Sequence, residues 1–335
     1  MLVVNDLGLA IAFCVLTMLG WGSWANTQKL AGKENWPFAL YYWDYAIGVA
    51  VFAALFAFTA GSAGTAGEAT LPNLAGASGG HLWRAFASGA LFNVSNILLV
   101  VAIDAAGMSV AFPVGVGLAL VIGTVSSYLQ NPRGNAMLLF TGVALVVLAM
   151  MFSAAAYSKL PRASGQGWKR GVTYAVVAGC LMGSFYPQLA GTISPAFNTA
   201  PILPGMLTPY SALLLFGAGL LASNFAVNTV FMRSAGVTYG DYFRGRPGLH
   251  WLGVLGGMIW MLSLSLNILA SGVAGPAISY ALGQGATLVA AIWGVAIWRE
   301  FRTAPKQATP FIVLMFAGYA AGLVTIGLAT LGQQR

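Results

Sequence analysis

Charge is what this sequence has least of. Only 7% of its 335 residues are charged, against about 25% in soluble domains, while 59% are hydrophobic. A soluble globular protein is excluded, and an all-α integral membrane protein is what remains. Histidine and cysteine are equally scarce, at two each. Cys14 and Cys180 lie far apart inside apolar segments, which fits packing thiols rather than a disulfide or metal pair. The sequence has no GxxxxGK[ST] loop, so ATP is not the energy source within this chain. It has no HExxH motif and no Cys/His cluster, so no metal and no cofactor is expected. His81 and His250 both fall at the edges of apolar segments and read as interfacial residues. Helix interiors offer Ser and Asn without a His or a second carboxylate beside them, so no enzyme is expected.

What is present is long apolar segments. A membrane span needs about 20 predominantly apolar residues, and the hydrophobic pattern yields ten: 7–28, 36–59, 82–103, 109–129, 135–156, 171–191, 207–231, 250–270, 276–298 and 308–330. Two long uncharged runs are each split in two, one by the Pro-rich segment TISPAFNTAPILPGMLTP (192–209) and one by the turn SGVAGPA (271–277). The first span has no Lys or Arg ahead of it and is read as uncleaved. Residues 61–80 form a small-residue loop and 158–170 a basic linker.

The net charge of +8 comes from residues in short connections. Twelve basic residues fall in the odd-numbered connections, whereas only Arg84, Arg133 and Arg335 fall on the other face. The positive-inside rule then puts the odd connections in the cytoplasm and both termini outside, in a bacterial inner (plasma) membrane. A nucleic-acid partner is not needed to explain the charge.

Five spans precede the basic linker and five follow it, so residues 1–157 and 171–335 would be two repeats of opposite orientation. With a shift of 168, GMSVAFPVGVGLALV (107–121) falls on GPAISYALGQGATLV (275–289), aligning Gly107 with Gly275, Phe112 with Tyr280, Gly115 with Gly283 and Gly117 with Gly285. A shift of 161 puts Gly22-Ser23-Trp24 on Gly183-Ser184-Phe185. Inverted repeats are a transporter architecture, in which two bundles rock about a central site.

Candidate site residues are the polar and aromatic ones inside spans. Gly115, Gly117, Gly283 and Gly285 let a helix or a solute approach the backbone closely, for packing or to line a pathway. Gly318 and Gly322 have GxxxG spacing and suit a helix-packing or dimer face. Asn93 with Asn96, and Ser263 with Asn267, share helix faces, and such groups face the interior because lipid cannot satisfy them. Trp24, Tyr186, Trp260 and Tyr280 offer ring faces, and Gln188 and Gln284 offer amides, for holding a neutral polar solute. Trp36, Trp251 and Trp298 at span ends suit an interfacial belt. Asp44, in FALYYWDYAIG (38–48), is an intramembrane carboxylate with no buried Lys or Arg within any span to pair with. It fits either a coupling group that titrates during transport or a structural hydrogen-bond acceptor.

FALYYWDYAIG (38–48), NILLVVAIDAAGMSVAFPVGVGLALVIGTV (96–125), LTPYS (207–211) and GPAISYALGQGATLVAAIWGVAIWREF (275–301) together resemble the glucose/ribose porter and ureide permease group of the drug/metabolite transporter superfamily. The resemblance implies a fold of ten helices in two inverted five-helix repeats. It also implies secondary transport of a small neutral polar solute, driven by a proton or sodium gradient or running by facilitation, as a monomer or homodimer in the lipid bilayer. A sugar such as glucose, ribose or rhamnose is the first expectation, a ureide or nucleobase such as allantoin or uracil the second, and export of drugs or metabolites a third.

Overall fold

The computed structural model describes residues 1–64, 66–160 and 168–330. The elements run α1 (Leu7–Ser23), α2 (Ala25–Lys33), α3 (Phe38–Phe58), α4 (Thr70–Gly76), α5 (Gly79–Ala106), α6 (Met108–Gln130), α7 (Ala136–Tyr157) and α8 (Trp168–Ala190). They continue with α9 (Pro209–Ser234), α10 (Tyr239–Phe243), α11 (Pro247–Ala274), α12 (Pro276–Gly283), α13 (Ala286–Ile292) and α14 (Thr309–Leu328). Sequence-local caps start several of them. The Asp6 side chain accepts from the Leu9 amide, Asn135 from Leu138, and Thr208 from Ser211 with Pro209 at the first helical position.

Among the described residues, nine helices are long and apolar enough to cross a membrane, and the chain is an integral, multi-pass membrane protein. The expected span 171–191 is the one outside that set. It is helical as α8, 23 residues long, but it opens on Lys169 and Arg170 and closes on Ser184, Tyr186, Pro187 and Gln188. Two other expectations change. The small-residue connection at 61–80 contains α4, pinned where Asn73 donates to Met206 O (3.1 Å) and accepts from the Thr208 amide (2.9 Å). The span 276–298 is broken: α12 stops at Gly283, Gln284 and Gly285 turn, α13 follows, and Trp293–Ile297 is a π-helical turn. Part of the basic linker, including Arg162, and Arg335 lie outside the described residues.

The helices group into two compact units. One comprises residues 1–93 and 188–273, the other 94–187 and 274–335, and the division runs through α5, α8 and α11. In the first unit, α3 and α9 cross antiparallel: Asn228 donates to Ala39 O at 2.9 Å, and Gly217 abuts Ala53. In the second, α7 and α14 cross antiparallel, with Gly142 against the Gly322 carbonyl and Gly318 against Ala149. Gly318 and Gly322 therefore serve packing within the unit.

Close contacts recur at fixed offsets. A side chain at Gly257 in α11 would strike the Tyr45 carbonyl and the Val49 nitrogen in α3. A side chain at Gly89 in α5 would strike the Phe216 carbonyl and the Leu220 nitrogen in α9. Reciprocally, a side chain at Gly48 of α3 would strike the Val254 carbonyl, and one at Gly219 of α9 the Phe86 carbonyl. From α5 to α11 every number shifts by 168, and from α3 to α9 by 171. Helices α5 and α11 also begin and end 168 residues apart, and each is followed by a glycine of positive φ, Gly107 (81°) and Gly275 (84°), from which α6 and α12 start. Trp83 and Trp251, near the starts of α5 and α11, share that offset and are 65% and 69% exposed, as interfacial anchors would be.

At these crossings the obstacle to a side chain is backbone, which cannot rotate away. Gly257→Ala is therefore expected to destabilise the detergent-solubilised protein by about 1–3 kcal/mol. Gly327→Ala, where nothing lies within 4 Å, should leave stability unchanged or raise it. Thermal unfolding of the two purified variants compares them directly.

Candidate functional site

Asp44 is the seventh residue of α3, about 9 Å from its start at the rise per residue of a helix, and it is 2% exposed. Its carboxylate is satisfied by two donors, Tyr242 of α10 and His250 of α11. The Tyr242 hydroxyl donates to Oδ1 at 2.6 Å, and Nδ1 of His250 lies 3.0 Å from each oxygen. The tyrosine bond has the length of a charge-assisted O–H···O bond, and the histidine distances are those of ordinary N–H···O bonds. Local chemistry sets each partner. Thr238 and Asp241 form a capping box that starts α10 and so aims Tyr242. His250 sits on the first turn of α11, and Gly253 one turn on leaves room for Asp44, since a side chain there would collide with its Cβ.

The surroundings close over this cluster. Trp36 packs edge-on against His250 at 5.5 Å, and Tyr242 does so from another side at 4.8 Å. Gly245 approaches both Trp36 and His250, and Arg246 pairs with Glu34. Burial first, then the bond to Asp44, raises the pKa of the Tyr242 hydroxyl, so it remains a protonated donor across the physiological range. Hydrogen bonds from the Thr238 side chain and backbone hold Asp241 below the usual carboxylate range.

This corrects one expectation: His250 is the partner of Asp44 and not a bystander at a span edge. Trp36 packs on that histidine, and Trp251 is exposed as expected. Asp44 accepts from a tyrosine and an imidazole, partners of the kind that its hydrogen-bond-acceptor reading calls for. Of the cysteines, Cys14 is buried, but Cys180 is exposed on α8 rather than packed inside.

The other candidates divide between the units. In the first, Trp260 is 5% exposed and lies in an aromatic cluster, stacked on Phe92 at 4.2 Å, Phe216 at 5.8 Å and Trp21 at 5.9 Å. Tyr45 stands 6.5 Å from Trp260 and 4.9 Å from Trp24, which occupies the join between α1 and α2. The Asn93 amide donates to Ser223 Oγ at 2.9 Å, Asn267 is wholly buried in α11, and Gln188 is half-buried near the end of α8. In the second unit Tyr186 and Tyr280 pack at 4.6 Å, the Tyr280 hydroxyl donates to Ala119 O at 3.2 Å, and Asn96 is 6% exposed. Gln284 occupies the break between α12 and α13, flanked by the buried Gly283 and Gly285. Gly115 is a close-approach glycine, touched by Leu99 and by Gly179 of α8. Gly117 is not: a side chain there meets nothing nearer than 3.9 Å.

Sequence reasoning missed Tyr242 and the role of His250, whereas Asn224 and Asn228 are among the polar side chains that it expects to face the interior. Asn224 is wholly buried in α9, and neither its side-chain oxygen nor its nitrogen has a partner among the described residues. Its spacing of four from Asn228 is a signal that both face inward.

No protein-family model matches this chain. It is similar to Ureide permease 4 of Arabidopsis thaliana, at 24% identity over 408 aligned positions covering all of both chains. It is also similar to Ureide permease 1 of the same plant, at 27% identity over 158 residues, which is 47% of this chain and 40% of that relative. A solved crystal structure shares the fold with a TM-score of 0.56 and 17% identity, covering 94% of this chain and 96% of its own.

The cluster predicts a measurable coupling. In a double-mutant cycle of Asp44→Asn and Tyr242→Phe, read by unfolding of the purified protein, the two losses should fall short of additivity by about 1–3 kcal/mol. Additive losses would mean that the two groups act independently.

Proposed function

We propose that this protein is a secondary carrier that moves a small neutral polar metabolite across the membrane by alternating access, with a ureide or nucleobase as its solute class. The observation that carries the reading is the full-length similarity to a ureide permease. It moves the solute expectation from sugars to ureides, because both relatives bear the ureide name. A ureide such as allantoin presents amide donors and acceptors in a flat ring. Aromatic faces and carboxamides bind such a molecule well, and Trp24, Asn93, Asn96, Tyr186, Gln188, Trp260, Asn267, Tyr280 and Gln284 are the candidates to supply them.

The carrier reading includes ten spans, with α8 as the tenth, in two inverted repeats at 1–157 and 171–335. Three observations support it. Helix limits recur at 168 residues, and glycine contacts recur at the same offsets. Corresponding helices cross antiparallel, α3 with α9 and α7 with α14, as inversion requires. Helix α12–α13 is interrupted at Gln284, as helices that form solute sites in carriers commonly are. The expected cytoplasmic odd connections and a bacterial inner membrane belong to the same proposal, as does coupling to protons or sodium through Asp44.

Uptake into proteoliposomes of labelled allantoin, uracil, glucose, ribose and rhamnose, with and without an inward proton or sodium gradient, tests the proposal. Saturable uptake of allantoin or uracil is expected. Uptake confined to a sugar would restore the sugar reading, and binding without uptake of any solute would overturn the carrier reading.

A further inference from the structure

The first unit carries matching closures at the two ends of its antiparallel α3/α9 pair. At one end, α10 and the first turn of α11 press on the start of α3 through Tyr242 and His250. At the other, α4 and the first turn of α5 press on the start of α9. Asn73 bonds Met206 O and the Thr208 amide, and Nδ1 of His81 lies 2.8 Å from Gly205 O. The elements correspond: α4 and α10 lie where an offset of about 168 residues would place them, and each closure uses a histidine on the first turn of the following helix.

The chemistry of the two ends differs. His81 meets a backbone carbonyl and Asn73 bonds a backbone carbonyl, a backbone amide and the exposed Glu68, so no buried carboxylate stands at that closure. At the α3 end both donors converge on one buried carboxylate. We propose that Asp44, Tyr242 and His250 form a proton-operated latch on one mouth only, released when Asp44 takes up a proton, whereas the Asn73/His81 closure at the opposite mouth has no such carboxylate at its centre.

The physical step is simple. An ionised Asp44 is acceptor-only and serves both donors at once. A proton on one of its oxygens turns that oxygen into a donor facing donors, leaves the other oxygen to accept from both Tyr242 and His250, and removes the charge that strengthens the two bonds. The titratable and charged groups facing Asp44 are Tyr242 from α10, His250 from α11 and Tyr41 from α3 itself, with the Glu34–Arg246 pair at the rim. Asp241 leaves α10 capped under mild acid, because its carboxylate is held ionised below the usual range. On the positive-inside reading the latched mouth is the cytoplasmic one.

The inference takes its meaning from the carrier reading, but its test needs no solute, so the two can fail separately. Hydrogen exchange of the full chain in lipid nanodiscs, normalised for the intrinsic pH dependence of exchange, is followed by mass spectrometry at neutral and mildly acidic pH. Segment 239–250 should lose protection by about tenfold on acidification, the size of one lost charge-assisted hydrogen bond, while segment 70–82 keeps its own. Asp44→Asn should be unprotected at both pH values. Tyr242→Phe, which leaves His250 on Asp44, should be less protected at neutral pH yet still respond to acid. The proposal is overturned by a pH response that survives in Asp44→Asn, by equal responses at the two ends, or by no response in the wild type. The last of these decides the matter even if Asp44→Asn does not fold.

Discussion

Backbone-to-backbone contact between helices is the constraint from which the rest of this structure follows. In lipid, apolar side chains gain nothing by meeting one another, so helices associate through close packing and hydrogen bonds. Here Gly48 and Gly257 bring α3 and α11 together until carbonyl and amide atoms fill the space a side chain would take, and Gly89 and Gly219 do the same for α5 and α9. Such contacts fix register as well as proximity. The α3/α11 register seats Gly253 beside Asp44 and thereby puts His250, one turn earlier, within bonding distance of the carboxylate.

Once the register is set, the cost of the buried carboxylate is met locally. An unpaired charge at this position would be expensive, and the chain spends a five-residue helix and a capping box to deliver Tyr242 to it. The same elements hold the start of α3, so holding the charge and holding the helix ends together are one interaction. The Arg246–Glu34 pair on the rim is exposed and contributes little.

Much of this could be read from the sequence because it is written in periodicity and composition. Scarcity of charge and the length of the apolar runs fix membrane helices. The 107–121 and 275–289 alignment marks the two helices that do start after matching positive-φ glycines. Asp44 stands out as an intramembrane acid. What was hidden depends on tertiary register. His250 looked interfacial because its distance from Asp44 in sequence, about 200 residues, carries no sign of their contact. The α4 and α10 helices are too short to show a period. The glycines that matter most, Gly48, Gly89, Gly219 and Gly257, are four of 43 and look like the rest in sequence terms, whereas Gly117, conspicuous in its motif, touches nothing closely. Gly283 and Gly285 flank the break between α12 and α13.

A carrier of flat, neutral, amide-bearing solutes accounts for the ureide permease similarity, the interrupted helix at Gln284 and the antiparallel correspondence of helices within each unit. Its most direct test is counterflow. Proteoliposomes preloaded with unlabelled allantoin and diluted into a trace of labelled allantoin, with no ion gradient, should accumulate label transiently above equilibrium, because one site is exposed to each side in turn. Label that rises monotonically to equilibrium, at a rate unaffected by the preload, would contradict alternating access and point to a channel or a binding protein instead.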